Sequence, residues 1–184
     1  MYNGVAVIFK RYWDAYGGCR ALYCSPYLHL AILLLFFTTH YWWSQEWWNQ
    51  VLSIIPNLLG FTLGGFAIFI GFGDEKFRSL LAQTDSTNTK NITVYVSLCS
   101  TFVHFIIVQM LALLYAIVIQ SIQFPIILPK NLNCIIFFSS KLFSFIGYGL
   151  FLYALTSMLA ATMHIFRIAF LFSEHQKTLK RDDN

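Results

Sequence analysis

His104 and Gln109 are polar side chains inside a long apolar segment, and they are the first candidates for chemistry in this sequence. An ionisable side chain at such a place marks a functional site by default, because a charge in lipid is costly. A neutral histidine that is hydrogen-bonded to a neighbouring helix avoids this cost, so we expect a structural role for His104. The apolar segments carry no deep Asp, Glu or Arg, which argues against a transporter coupled to protons or cations.

The search for a catalytic or metal-binding constellation gives no candidate. The sequence has no H-E-x-x-H and no G-x-S-x-G motif. Glu174 and His175 are adjacent near the end, but they have no partner ligands. The cysteines form no C-x-x-C pair and we expect inert thiols; they are Cys19, Cys24, Cys99 and Cys134. We therefore predict a non-enzymatic chain with no cofactor and no metal site.

Composition indicates that lipid is the solvent of this chain. Hydrophobic residues make up 58% of its 184 positions and charged residues 11%, whereas a soluble domain carries about 25% charged residues. Four apolar stretches are long enough to cross a hydrocarbon core of about 30 Å, and they cover about 27–43, 51–72, 94–124 and 135–172. We predict an all-α, multi-pass membrane protein with a four-helix transmembrane domain over 27–172, preceded by segment 1–26 and followed by tail 173–184.

The distribution of basic residues predicts the orientation. Ten of the twelve Lys and Arg residues lie in the N-terminal segment, in the loop 73–91 or at the C-terminal end. Four spans place these three segments on one side, and the positive-inside rule assigns that side to the cytoplasm. Lys141 and Arg167 then bracket the fourth span as snorkelling side chains at the two interfaces. We expect both termini in the cytoplasm and the chain in the cell inner membrane.

The N-terminal segment predicts an amphipathic helix that lies in the cytoplasmic interface of the membrane. Apolar and aromatic side chains recur there at helical spacing and form one face: Val5, Phe9, Tyr12, Trp13 and Tyr16. Two glycines, Gly17 and Gly18, end the helix. In the alternative interpretation this face docks on another subunit.

Four tryptophans cluster around the outer end of the first two spans: Trp42, Trp43, Trp47 and Trp48. Tryptophan is enriched at headgroup level, where it anchors helix ends. We therefore assign these four residues, with Phe9, Tyr12 and Trp13 of the N-terminal helix, to the membrane interface. The alternative is an outward-facing recognition surface.

Small residues form a stripe along the second span. Steps of four and three place them on one helix face: Ser53, Asn57, Gly60, Gly64, Ala67 and Gly71. A second stripe in the fourth span has heptad spacing: Gly147, Ala154 and Ala161. Small faces let helix backbones approach closely in lipid. The stripe of the second span is compatible with packing inside one subunit, packing between subunits or the lining of a pore, and two such stripes favour an oligomer.

The loop 73–91 is longer than the roughly 2–8 residues that a connection in a helix bundle takes. It opens with both signs of charge around an aromatic ring: Asp74, Glu75, Lys76, Phe77 and Arg78. An exposed Phe ringed by charges is a plausible anchor for a partner protein. We predict that these residues dock a cytoplasmic protein; in the alternative, Phe77 packs on the inner membrane surface.

The overall pattern resembles the four-helix membrane subunit of the bacterial Kiwa anti-phage defence system. The features that carry the resemblance are the four spans with cytoplasmic ends and the Gly-rich second span, whose sequence from Gly60 to Gly73 continues directly into the charged Asp74–Arg78. The resemblance implies an oligomer that senses infection at the envelope and holds a cytoplasmic DNA-binding partner. Immunity proteins against pore-forming colicins share the size and the topology.

These patterns favour a non-enzymatic, homo-oligomeric membrane subunit that senses or anchors and that works through a cytoplasmic effector. We expect membrane lipid and the effector as its partners, with no direct binding of nucleic acid. A small oligomeric ion channel lined by the second span is the alternative, with weak selectivity because the lining carries no charge. An immunity protein against a membrane-acting toxin is a further alternative.

Overall fold

The computed structural model describes residues 2–44, 46–71, 93–122 and 133–182, and these residues are almost entirely helical. Seven helices lie in the described ranges, and we number them in chain order: α1 Tyr2–Tyr16, α2 Gly18–Tyr23, α3 Pro26–Phe37, α4 Thr39–Ser44, α5 Trp47–Gly71, α6 Val94–Ile122 and α7 Asn133–Asp182. The prediction of an all-α fold is confirmed for this part of the chain.

Three helices are long and apolar enough to cross a membrane, as judged from length and composition. They are α5, α6 and the part of α7 from Phe137 to Glu174, and they correspond to the second, third and fourth predicted spans. Helix α5 begins at Trp47 rather than at 51. Helix α7 has 50 residues and is about 75 Å long at a rise of about 1.5 Å per residue. This length exceeds the thickness of a bilayer.

The first predicted span, 27–43, is divided between two helices at Thr38. Helix α3 is apolar, but its 12 residues fall short of the roughly 20 that a span needs. The interruption is local, because the Thr38 N–H still donates to the Leu34 carbonyl at 2.9 Å and the Trp42 N–H donates to the Thr38 carbonyl at 3.4 Å. The Thr38 hydroxyl also donates to the Leu34 carbonyl, at 2.7 Å. A threonine hydroxyl that bonds the preceding turn disturbs a helix without ending its course.

Helix α1 ends where the sequence predicts, at two glycines. Gly17 separates α1 from α2 with φ +105°, and Gly18 follows with φ +66°. Only glycine adopts two such angles in succession without strain. A β-carbon at Gly17 would also lie 2.9 Å from the β-carbon of Ala21.

The chain divides into two compact units, each with its own core. The first comprises Met1–Cys24, Thr62–Phe105 and Met158–Asn184. Within it, Phe102 is buried and its ring stacks on the rings of Phe66 and Phe69. Its core is therefore aromatic.

The second unit comprises Ser25–Phe61 and Ile106–Ser157. Its most buried large side chains are Trp47, Ile55 and Phe151, each with no exposed surface. Burial of a large aromatic or aliphatic side chain stabilises a fold by about 1.5–3 kcal/mol, so Trp47 and its surroundings are the centre of this unit.

Candidate functional site

The small stripe on α5 points away from the helix's own packing partners. All six of its members are exposed: Ser53, Asn57, Gly60, Gly64, Ala67 and Gly71. A β-carbon added at Gly60, Gly64 or Gly71 would meet no atom within 4 Å. The buried residues of α5 lie on the opposite side of the helix: Trp47, Trp48, Val51, Ile55, Leu58, Leu59, Thr62 and Phe69. Among the described residues, α5 therefore has one face that packs against the rest of the chain and one small face that does not.

The two polar members of the stripe bond the backbone of their own helix. The Ser53 hydroxyl donates to the Gln50 carbonyl at 2.9 Å, and the Asn57 amide donates to the Ser53 carbonyl at 3.4 Å. Pro56 has no N–H, so the carbonyl of Leu52, four residues earlier, does not receive the usual helical hydrogen bond. Asn57 directly follows Pro56, and a side-chain amide at this place could bond a backbone group freed in this way. Its amide instead reaches the neighbouring carbonyl, because that carbonyl lies four residues before Asn57 itself.

The second small stripe has the opposite surroundings. Gly147, Ala154 and Ala161 on α7 are all buried. A β-carbon at Gly147 would overlap ring atoms of Trp47 and would lie 2.6 Å from Cε1 of Tyr115. Trp47 itself has no exposed surface and stacks on Tyr115, with ring centroids 6.4 Å apart. Because Gly147 has no side chain, α7 leaves space at this position for the Trp47 indole of α5.

Three of the four tryptophans that we assigned to the membrane interface are buried against other residues of the chain. Trp42, Trp47 and Trp48 are buried, while Trp43 keeps 45% of its surface exposed. The indole N–H of Trp42 donates to the Leu35 carbonyl at 3.1 Å, and its ring meets the edge of Phe145 at 5.6 Å. The buried tryptophans therefore pack helices of this chain together, whatever their depth in a bilayer.

Lys141 on α7 has a packing role that the sequence did not reveal. Its ammonium donates to the carbonyl of Trp43, at the C-terminal end of α4. It also lies over the rings of Trp43 and Phe137, at 5.2 Å and 5.3 Å from the centroids. A cation bonded to a terminal helix carbonyl satisfies an acceptor that has no partner within the helix. Lys141 therefore fastens α4, whereas we expected a snorkelling side chain with no such role.

An aromatic cluster around His104 joins α1 to α6. The Tyr12 hydroxyl lies 2.7 Å from Nδ1 of His104, and the Tyr16 ring stacks on the imidazole with centroids 3.9 Å apart. His104 is 4% exposed. Burial, with a smaller contribution from Tyr16, raises the pKa of Tyr12 to about 12. The phenol is therefore protonated near neutral pH and can donate to Nδ1 of a neutral histidine. His104 thus has the hydrogen-bonded structural role that we expected.

The predicted interfacial face of α1 is divided by this contact. Tyr12, Trp13 and Tyr16 are half-buried, whereas Val5 and Phe9 keep 66% and 55% of their surfaces exposed. The half-buried end is occupied by residues of the same chain. Spacing could identify the face, but it could not show that His104, 92 residues away from Tyr12, would lie against it.

The docking residues Asp74, Glu75, Lys76, Phe77 and Arg78 lie outside the described residues. Within the described residues, no three His, Cys, Asp or Glu side chains are grouped so that they could hold a metal ion. Cys19 and Cys24 on and after α2 are exposed and carry free thiols.

Comparison with protein-family models, with curated proteins and with solved structures finds no match for this chain. Its function must therefore be argued from its own residues. Among these, the small face of α5 is exposed and does not pack against the other described residues.

Proposed function

We propose that this chain is a non-enzymatic, homo-oligomeric subunit of the inner membrane. It senses an event at the envelope and holds a cytoplasmic effector protein, the role that the Kiwa resemblance implies in anti-phage defence. Contact with nucleic acid belongs to the effector and not to this chain. The exposed small face of α5 is the observation that carries the proposal.

This face supports assembly because of what surrounds it on the same helix. The flanking exposed positions carry large apolar side chains, among them Phe61, Leu63 and Ile68, which suit contact with lipid. The stripe itself carries glycine, alanine, Ser53 and Asn57, which suit close approach of a second backbone and hydrogen bonds across it. An amide such as Asn57 is poorly accommodated by hydrocarbon. A second copy of the chain would cover both features.

The four-span arrangement is part of the proposal, and contacts within the second compact unit support it. Helices α3 and α4 run antiparallel to α7: the Thr156 hydroxyl donates to the Tyr27 carbonyl at 3.0 Å, a β-carbon at Gly149 would lie 3.2 Å from Leu35, and Trp42 meets Phe145. Residues 26–44 would extend about 28 Å at helical rise, close to the thickness of the hydrocarbon core. They lie beside a helix that is itself a candidate span.

The length of α7 suits a connection to a cytoplasmic partner. The helix continues from the end of the candidate span at Glu174 to Asp182. Near its exit Lys177 pairs with Glu174 at 2.7 Å, and both side chains are exposed. Because the helix is continuous, a displacement of its membrane part would also displace its polar end.

Leucine at Gly60 and Gly64 tests the assembly. The double variant should prevent close approach of two α5 helices, at a cost on the order of 1–2 kcal/mol or more. The fold of one subunit should persist, because a β-carbon at either position meets no atom of the described chain within 4 Å. Size-exclusion chromatography with light scattering in mild detergent should show an oligomer for the natural chain and a smaller species for the variant.

Gly4→Leu is the matched control, since a β-carbon at Gly4 also meets no atom within 4 Å and Gly4 lies on α1. This variant should keep the oligomer. If the natural chain is already a monomer, or if Gly60→Leu with Gly64→Leu leaves the oligomer intact, assembly through this face is wrong.

Affinity capture tests the effector. The tagged natural chain should bring a cytoplasmic protein with it in mild detergent. The triple variant Lys76→Glu, Phe77→Ala, Arg78→Glu should reach the membrane, keep its oligomer and lose that protein, while the charge reversal Arg20→Glu, at an exposed position of α2, should retain it. Capture that is undiminished in the triple variant would move the docking surface to the tail 173–184.

A small channel is the second candidate, because the same exposed stripe of Gly, Ser and Asn could line a pore between subunits. Purified oligomer in planar bilayers distinguishes the two functions. A steady current that is abolished by Gly60→Leu favours the channel, and silent membranes favour the anchor.

A toxin-immunity role is distinguished by whether expression of the chain protects cells from a membrane-acting toxin.

A further inference from the structure

One end of α1 carries its polar and stacking contacts with α6. Tyr12 and Tyr16, one helical turn apart, both engage His104: the first through a 2.7 Å hydrogen bond and the second through a ring stack at 3.9 Å and 17°. Phe9 and Trp13 add edge contacts to Tyr12 itself, at 5.5 Å and 6.3 Å. His104 of α6 thus binds the C-terminal half of α1 through both tyrosines.

The other end of α1 is open. Val5, Ile8 and Phe9 lie on the same face as Tyr12 and keep 66%, 69% and 55% of their surfaces exposed. An isolated helix of 15 residues is marginal in water, so the state of α1 depends on what its aromatic end contacts. Tyr12 and Tyr16 both contact His104, so loss of the His104 side chain removes both contacts together.

The connection to α2 allows α1 to take a different direction. Gly17 and Gly18 have positive φ angles in succession, and glycine has access to many other backbone conformations at little cost. The joint lies one residue after Tyr16, directly beside the His104 contact. Motion at this joint would therefore displace the contact first.

We propose that α1 is a hinged latch: the Tyr12–His104 hydrogen bond and the Tyr16 stack hold it on α6, and their loss lets it pivot at Gly17–Gly18 and frees its whole apolar face. His104 lies ten residues into α6, about 15 Å along a candidate membrane helix. A displacement of α6 would thus be passed to α1. This inference rests on the proposed function for its biological role, which is to turn an event in the membrane into a change at the cytoplasmic surface of the chain.

Hydrogen exchange of the backbone amides, read by mass spectrometry on the purified full chain in lipid nanodiscs, tests the latch. Tyr12→Phe removes the hydroxyl and keeps the ring, so the peptides of Tyr2–Tyr16 should exchange about fivefold to tenfold faster, the loss expected for one net hydrogen bond. The peptides of α6 should be unchanged, which shows that the fold persists. Tyr23→Phe, at a tyrosine that is 70% exposed, is the matched control and should exchange like the natural chain.

The partner side of the bond is tested by His104→Phe and by the double variant. His104→Phe should have an effect similar to that of Tyr12→Phe, and Tyr12→Phe should add nothing further in that background. Natural-rate exchange of α1 in Tyr12→Phe, or an equal further gain in the double variant, would overturn the latch. These outcomes are independent of oligomer size and effector capture, so failure of the latch and failure of the proposed function give different results.

Discussion

Gly147 and Trp47 place the smallest residue of one helix against the largest of another. Heptad spacing predicted that Gly147, Ala154 and Ala161 share a small face, and all three are buried. Spacing could not identify what fills the space, because periodicity specifies a face and not its neighbour. The stripe of α5 satisfies the same spacing rule, yet it contacts nothing within 4 Å at its glycines 60, 64 and 71.

Gly147→Ala should destabilise the chain although alanine is the better helix former. A β-carbon at this position overlaps the Trp47 indole and crowds Tyr115, and overpacking of this kind costs about 1–3 kcal/mol. This loss exceeds the gain of about 1 kcal/mol from helix propensity. Thermal unfolding of the purified chain in detergent should show a lower Tm. Gly4→Ala, at an open helical position, should leave the Tm unchanged or raise it, and an unchanged Tm in Gly147→Ala would contradict this packing.

His104 shows that for a polar residue, too, the sequence predicts the need for a partner but not the partner itself. Its place in an apolar segment marked it as a residue that needs a partner, and the face of α1 could be identified from spacing. The contact between Tyr12 and His104 spans 92 residues, and no local pattern specifies a contact at that separation. The residue types on both sides could therefore be predicted, but not their pairing.

The long helices themselves were largely predictable, but the start of α5 was not. Long apolar runs predicted α5, α6 and α7, but α5 begins at Trp47, four residues earlier than the predicted 51. Hydropathy placed the start of the span at 51 because the preceding Trp, Asn and Gln residues are not strongly apolar. The Asn49 side chain donates to the Glu46 carboxylate at 2.8 Å, and a carboxylate near a helix N-terminus is favourable. Glu46 was thus the available signal for the start of α5.

Lys141→Met should loosen α4 while leaving α7 intact. The substitution keeps a long apolar stem but removes the donor to the Trp43 carbonyl; hydrogen bonds to charged groups are worth about 1.5–3 kcal/mol, and partial exposure brings the expected loss to the lower end. Hydrogen exchange of the α4 amides, Thr39–Ser44, should become faster. Lys177→Met removes an exposed ion pair on α7, which contributes at most about 1 kcal/mol, and should leave α4 unchanged. Equal exchange in α4 for both variants would show that Lys141 does not cap this helix.

At the scale of the whole chain, the membrane location and the number of spans rest on different observations. Hydropathy and the three candidate spans agree on a membrane protein. The number of spans depends on residues 26–44, where Thr38 divides an apolar segment into two short helices. Charge placement favours four spans, because this number puts ten of the twelve basic residues on one side. With three spans, the N-terminal segment and the C-terminal tail would lie on opposite sides.

Reporter fusions test which side each end occupies. With four spans, a reporter fused after Asn184 should be cytoplasmic and one inserted near Asn131 should be exported. These two positions flank α7 and differ in side for either number of spans, so they test the orientation but not the count. Two reporters on one side would contradict passage of α7 through the membrane.

The exposed thiols of Cys19 and Cys24 decide the number of spans, because they lie between α1 and α3. In a Cys99→Ser, Cys134→Ser background, they are the remaining cysteines of the chain. A membrane-impermeant maleimide applied to spheroplasts with an intact inner membrane should leave them unlabelled if α3 and α4 cross the bilayer, and should label them fully after the membrane is opened. Labelling before opening, together with a cytoplasmic reporter after Asn184, would establish three spans. The basic N-terminal segment would then lie outside, where α1 could not reach His104, ten residues from the cytoplasmic start of α6; the latch would then fail together with the four-span arrangement.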